Sequence, residues 1–294
     1  MKIMKIVTLV LAMLCILLPV HADTLSLYFE NDVLHNQDYY YTTGWRVSYL
    51  VDAWDAEVIF GQDMYTSYNK WTKVPDKGDR PYAGWLYLGM DKTFTTGAWR
   101  HYVEAAIGVT GSMSLAGQTQ TFVHELIDNH VPEGWDSQVP SRLAGILYLQ
   151  ESRPLFDSKW VNLIPHADFA VGNVQTFAGG GATIEFGWNI ENQVHNQITV
   201  KSDKPSKWND FRCYLFGDVQ GRYVLNNITL EDNPCTDYPY AVDVEPWVAD
   251  LSYGACVQYD SVKLMFTTDW RTKEFTTENT SLKPFSGVKL SVSF

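Results

Sequence analysis

The sequence predicts an all-β chain: a transmembrane antiparallel β-barrel of about twelve strands, with a short helix in one extracellular loop. Three observations carry that expectation. After residue 22 no apolar run approaches the length of a membrane-spanning helix, yet 14% of the residues are aromatic. Short alternating runs recur along the whole chain, among them Trp45-Val47-Tyr49, Ala144-Ile146-Tyr148, Ala182-Ile184-Phe186 and Leu264-Phe266-Thr268-Trp270. Period two between turn residues is the pattern of a strand with one apolar face. Finally, the chain closes on VKLSVSF, with Val288, Leu290, Val292 and Phe294 on one face and Lys289, Ser291 and Ser293 on the other. A soluble sandwich would alternate in the same way; the long stretches 210–225 and 243–260, and this last strand, favour the barrel.

The first residues point to export. Lys2 and Lys5 precede the apolar run Ile6 to Val20, which ends in Val20-His21-Ala22. A positive start, an apolar middle and a small-residue cleavage site make residues 1–22 a signal peptide, with 23–294 the mature barrel domain. The run is short for a membrane anchor. Cys15 lies inside it behind Leu14, a poor context for lipid attachment. Removing 1–22 takes away two lysines and no acid, leaving 22 − 2 = 20 Lys+Arg against 34 Asp+Glu, a net charge of −14. Such a chain is a poor nucleic-acid binder. Facing an anionic lipid surface, it would need cations between the two. Cys213, Cys235 and Cys256 show no metal spacing; one loop disulfide or buried free thiols are the options.

Taken in order, the expected strands are 24–30, 41–51, 56–63, 81–92, 99–109, 143–152, 160–172, 180–189, 210–225, 243–260, 262–275 and 284–294. An even count puts both termini on the periplasmic side. Short links at 52–55, 95–98 and 154–158 are then periplasmic turns, and 31–40, 64–80, 110–142 and 226–242 are outer loops. The polar stretch 190–209 fits poorly, being long yet on the turn side. The C-terminal strand resembles the terminal signal of bacterial outer-membrane proteins, which makes the barrel assembly machinery a partner. Within 110–142 a helix is expected over 118–129, with Phe122, Leu126 and Val123 on one face, ended by Pro132 and Gly134.

This topology gathers polar groups on one rim. Asp32 is a hard oxygen ligand, and Asn31 and Thr42 add neutral oxygens, a set suited to calcium or magnesium and poor for zinc. His124 on the loop helix is a base near neutrality. A calcium ion that polarises an ester carbonyl and a histidine that deprotonates water would suffice for ester hydrolysis without a covalent nucleophile. Each residue also has an ordinary reading: an Asn-Asp pair is a common turn former, a loop-helix histidine is often just solvated, and a strand threonine needs no role. A zinc-hydrolase helix is excluded, because position 128 is Asp where a second histidine would be required, and there is no G-x-S-x-G elbow. Ser112 and Ser114 leave a Ser-His scheme open. Lys70, Lys73, Lys77 and Arg80 concentrate in one outer loop, suited either to lipid phosphates or to simple solubility. Asp79 and Arg80 form an expected ion pair.

In sequence order, END at Glu30–Asp32, YTTG at Tyr41–Gly44, QDMY at Gln62–Tyr65, KGDR at Lys77–Arg80, GQTQTFVH at Gly117–His124 and GWDSQ at Gly134–Gln138 resemble the outer-membrane lipid A 3′-O-deacylases. The matches cover about the first half of the mature chain; the second half agrees mainly in its strands and terminal phenylalanine. The resemblance implies a twelve-stranded outer-membrane barrel, an active site between the wall and a loop helix, and calcium-dependent removal of the 3′ acyloxyacyl group from the lipid A of lipopolysaccharide. It implies His124 as catalytic base, Asn31, Asp32 and Thr42 as the calcium and oxyanion side, and Lys70 as the outer-loop lysine. Lys77, Arg80 and Gln118 join Lys70 as candidate substrate contacts. The sequence departs from the family at His130, six residues after His124, where an acid is usual. The alternatives are a phospholipase A-type barrel using a Ser-His pair and a passive porin or structural barrel.

Overall fold

The computed structural model describes residues 24–32, 35, 39–190, 211–231 and 238–294. The expected signal peptide, Cys235 and nearly all of the polar stretch 190–209 lie outside the described residues. In chain order the strands are β1 (Thr24–Asn31), β2 (Tyr40–Val51), β3 (Ala56–Thr66), β4 (Ala83–Thr96), β5 (Trp99–Thr110), β6 (Leu143–Ser152), the two-residue β7 (Phe156–Asp157), β8 (Val161–Gly172), β9 (Gln175–Trp188), β10 (Arg212–Asn227), β11 (Trp247–Tyr259), β12 (Val262–Arg271) and β13 (Lys283–Ser293). Helix α1 (Ala116–Leu126) lies between short 3₁₀ turns at Gly111–Ser114 and Gly134–Ser137.

Apart from β7, which pairs only with β8, the strands pair antiparallel with their chain neighbours, with β6 passing directly to β8. β1 joins β13, with Thr24 opposite Ser293 and Asn31 opposite Ser286. The twelve long strands therefore close on themselves, so each finds partners on both sides for its main-chain groups. All twelve expected strands are present. β9 starts five residues earlier than expected because Gly179, Gly180 and Gly181 carry no side chains to display alternation, although both neighbours pair with them. β11 starts four residues later, after Pro246, which lacks the N–H a ladder needs.

The wall is apolar outside and polar inside. On β10, Tyr214, Phe216, Asp218, Gln220 and Arg222 point inward and are buried, while Leu215, Val219 and Leu225 face out and are exposed. Phe60, Leu88, Ile107 and Leu147 continue the outer belt around other strands. The lumen is packed with paired charges: Arg46 contacts Asp91 at 2.6 Å and Glu104 at 2.8 Å, and Lys289 is 1% exposed. An ionic interior survives when each charge has a partner, since an unpartnered buried charge is the costly case. A lumen filled in this way opposes the porin reading. Cys213 lies half-buried on β10 and Cys256 buried on β11.

Short links such as 52–55, 97–98 and 260–261 lie at one end of the barrel, with the start of β1 and the end of β13. The opposite end carries the long connections 32–39, 67–82, 111–142, 228–246 and 272–282. The last of these is a loop that the expected strand 262–275 had partly absorbed. Every residue proposed for chemistry lies at this loop end.

Candidate active site

On one side of the loop end, β1 runs out through Glu30, Asn31 and Asp32. Glu30 faces the lumen and accepts hydrogen bonds from Tyr28 Oη and Tyr41 Oη, both at 2.5 Å. Gly44 lies opposite Glu30 in the ladder; a Cβ there would come within 2.0 Å of the Tyr41 hydroxyl, so glycine makes room for that bond. Asn31 donates through Nδ2 to the Thr42 carbonyl at 2.9 Å and to Thr43 Oγ1 at 2.7 Å. The β2–β3 register shifts between Tyr41 and Thr43, so Thr42 is the extra residue of a bulge. Bulges re-aim side chains; here Tyr40, Tyr41 and Thr42 are all buried in succession. The Thr42 hydroxyl meets Thr66 Oγ1 at 2.7 Å.

Asp32 is 3% exposed, and its Oδ2 accepts the Tyr39 amide at 2.8 Å. Burial pushes its carboxyl well above the usual carboxylate range, while the Tyr39 amide and the Lys70 ammonium pull it back. Burial likewise lowers the Lys70 ammonium, and Asp32 opposes that. A desolvated carboxylate with one half-buried lysine near it is a place where a further cation is favoured. Among the described residues no three His, Cys, Asp or Glu side chains converge as a metal cluster. An ion at this carboxylate would have neutral oxygens of Asn31, Thr42 and Thr43 as its neighbours on β1 and β2, a set that fits a hard ion completed by water or substrate and does not fit zinc.

On the other side stands α1. Ser114 and Ala116 rest on Gly84 of β4, where a Cβ would lie 2.2 and 2.3 Å from them. Gln62 Nε2 donates to the Ser114 carbonyl at 2.6 Å, and Trp135 Nε1 donates to Gln120 Oε1 at 2.7 Å. Trp135 packs with Met64, Tyr82 and Ala116. The short motifs around Gln62, Gln120 and Trp135 are thus the fastenings of the helix. Its orientation corrects a simple amphipathic expectation. Phe122 and Leu126 do share a face, but they are 58% and 40% exposed; Gln120 and His124 face the barrel and are buried. His124 Nδ1 lies 2.5 Å from the His130 carbonyl. A carbonyl only accepts, so Nδ1 carries a proton, and whenever the ring is neutral its lone pair is on Nε2.

The two sides are tied by the 67–82 loop. Lys70 faces Asp32 electrostatically, its carbonyl accepts the Glu133 amide at 3.0 Å, and the next residue, Trp71, packs against the His130 ring at 4.4 Å between centroids with the planes tilted by 57°. Lys77 and Gln118 are exposed on this end. Arg80 is a correction. It is 0% exposed, with Nη1 3.2 Å from Glu274, Nη2 2.8 Å from Thr229 and its guanidinium 4.2 Å from the Tyr65 ring centre. Its place is an internal strut, not a surface phosphate contact. The expected Asp79–Arg80 ion pair is also replaced: Asp79 takes the Arg80 and Tyr68 amides. Ser112 pairs with Ser141 at 3.0 Å and Ser114 donates to the Gly111 carbonyl at 2.6 Å, so both hydroxyls of the alternative Ser-His scheme are engaged elsewhere.

Sequence reasoning missed the far wall of the cleft beside Asp32, formed by Tyr39, Tyr41, Arg271, Glu274, Lys283 and Phe285. Lys283 is 3.0 Å from Glu274 and 2.8 Å from Glu278. The available signal was closure itself: once the last strand pairs with the first, the start of β13 must lie beside Asn31.

Comparison with known proteins gives a consistent picture. The model of one protein family, described as outer membrane protein LpxR, matches residues 7–294. Among solved structures, LpxR from Salmonella typhimurium superposes with a TM-score of 0.81 at 21% identity, covering 92% of this chain and 100% of that one. The β domain of the Bordetella autotransporter BrkA gives a TM-score of 0.46 at 9% identity, covering 93% of this chain and 99% of that one. No curated protein sequence matches.

Proposed function

The chain belongs to the outer membrane protein LpxR family, which supports a lipid A-modifying enzyme of the outer membrane; from that premise we propose that it is a calcium-dependent esterase removing the 3′-linked acyloxyacyl group of lipid A. The observation that carries the reading is His124: a buried histidine, held by a main-chain carbonyl on Nδ1, at the same barrel end as the buried carboxylate Asp32. The loop end would face outward, presenting the site to the outer leaflet.

In this reading Nε2 of His124 takes a proton from water as the water oxygen bonds to the ester carbonyl carbon. The tetrahedral species collapses by breaking the bond to the sugar oxygen, which receives the proton back from the imidazolium. The products are a free acyloxyacyl acid and a sugar hydroxyl. Asp32, with neutral oxygens from Asn31 and Thr42, would hold calcium, which supplies a Lewis acid for the carbonyl oxygen when bound. Lys70 would neutralise a lipid phosphate, and Lys77 and Gln118 would contribute at the exposed rim.

The deciding experiment is mass spectrometry of lipid A from cells making the parent chain or His124→Ala, with calcium present or chelated. Loss of one acyloxyacyl mass only with His124 and calcium both intact is expected. Unmodified lipid A in every sample, from correctly folded barrels, would overturn the reading.

A further inference from the structure

The position six residues after His124 carries an imidazole, yet it is the main-chain carbonyl of that residue that meets His124 Nδ1. The end of α1 explains how. Asn129 N donates to the His124 carbonyl at 2.8 Å and Asp128 N to the Glu125 carbonyl at 3.3 Å, with Asp128 at φ 55°. A 6→1 and a 5→2 bond around a left-handed residue form a Schellman reversal, which satisfies the last carbonyls of the helix and turns the chain back along it. The reversal brings the His130 carbonyl to the His124 ring at 2.5 Å. The reversed segment is then held from outside by Trp71 on the His130 ring and by the Glu133 amide on the Lys70 carbonyl.

We propose that Asp128, His130 and Trp71 form a positioning clamp that fixes the proton of His124 on Nδ1 and aims Nε2 at the reacting water, with a backbone carbonyl serving where a side-chain acceptor would otherwise be used. This rests on the assignment of His124 as base. Three features support the clamp. A main-chain acceptor has a single charge state, so the tautomer does not depend on the protonation of a second side chain. Its position depends on one residue in the left-handed region, which aspartate and glycine tolerate and a β-branched residue does not. Finally, Lys70 and Trp71 are adjacent, so one short strand of loop sets the Asp32 side and the His124 side in a common frame. None of the three clamp side chains needs to touch substrate.

The test uses the full mature chain in detergent micelles, with ¹⁵N-labelled histidine. The His124 ring signals are assigned by their loss in His124→Ala. In the parent the neutral ring should show protonated Nδ1. Asp128→Val and Trp71→Ala should shift it toward a mixture containing protonated Nε2. With lipid A as substrate, kcat should fall by about tenfold to a hundredfold, the scale of a misplaced reacting group, while KM changes less than about twofold. Asp128→Gly should keep both the tautomer and the rate, because glycine adopts the same backbone. An unchanged His124 tautomer in both disrupting variants overturns the clamp whatever happens to activity. So does a parent ring protonated on Nε2. The tautomer readout requires no turnover, so it stands apart from the deacylase assignment. If His124→Ala keeps full activity while the tautomer follows Asp128 and Trp71, the base assignment falls and the geometric clamp remains.

Discussion

Two buried histidines of this barrel have opposite surroundings. His166 on β8 points into the lumen, with Nδ1 2.7 Å from Asp168 Oδ2 and Nε2 3.0 Å from Asp218 Oδ1. Ionised carboxylates only accept, so with both ionised each ring nitrogen donates and the ring is a cation. Around it, Tyr148 and Gln150 donate to Asp168 Oδ1, and Gln220 donates to Asp168 Oδ2. His124 on α1 instead has a neutral carbonyl on Nδ1. Both rings are under a tenth exposed. The difference is the charge of the acceptor on Nδ1. Carboxylates on both nitrogens favour a structural cation that is a poor base, whereas a neutral carbonyl on Nδ1 orients the ring without holding it charged.

The contrast can be broken most directly at His124. His124→Ala should lower turnover by roughly 10²–10⁴-fold, the span of a general base, with the barrel intact by circular dichroism and heat-modifiable gel mobility. Activity above a tenth of the parent would end its role as base.

His166→Gln should do the reverse. Leaving Asp168 and Asp218 without their cation should cost about 3–5 kcal/mol in denaturant unfolding from micelles. Turnover per folded molecule should stay at the parent level, because the lumen cluster takes no part in the chemistry. A variant of parental stability would mean that the two carboxylates share a proton instead.

Arg80 and Lys77 extend the comparison to the loop end. Arg80→Ala removes one of the cations around buried Glu274, leaving Lys283 and Arg271 beside it, and with the lost bond to Thr229 should cost about 1.5–3 kcal/mol. Lys77→Ala should leave stability within about 0.5 kcal/mol and act only on KM. If Arg80→Ala instead raised KM alone, the guanidinium would be reaching substrate.

Asp32→Asn should reduce turnover roughly a hundredfold and abolish the response to chelation expected of the parent, since a metal's transition-state contribution amounts to several kcal/mol. Equal chelator sensitivity in both would move the cation away from Asp32. The smallest effect should come from Trp135→Phe, which removes the indole donor to Gln120 and should cost about 1 kcal/mol, read as a lower thermal midpoint with activity nearly unchanged.

Twelve strands, their order and the loop end were legible in the sequence because period-two alternation is a local property, visible wherever one face meets lipid and the other a packed interior. Asn31, Asp32, Thr42 and His124 were legible as chemistry-bearing types on one rim by topology alone. The direction of α1 was not. Phe122 and Leu126 look like a core stripe, yet they face out, because the fastenings at Gln62, Gln120 and Trp135 are polar and lie on the other face. The burial of Arg80 was equally hidden. Its partner Glu274 is 194 residues away, and only closure of the sheet brings them together.

By itself, then, the sequence determined the wall of the barrel, since alternation is written into consecutive residues. The tertiary structure alone decided which polar groups became struts and which remained available. That choice depends on acceptors supplied across the barrel by residues far apart in the chain: a carbonyl for His124, two carboxylates for His166, and Glu274 for Arg80. The ionising properties of a buried side chain are set by those neighbours, and no local pattern in the chain encodes them.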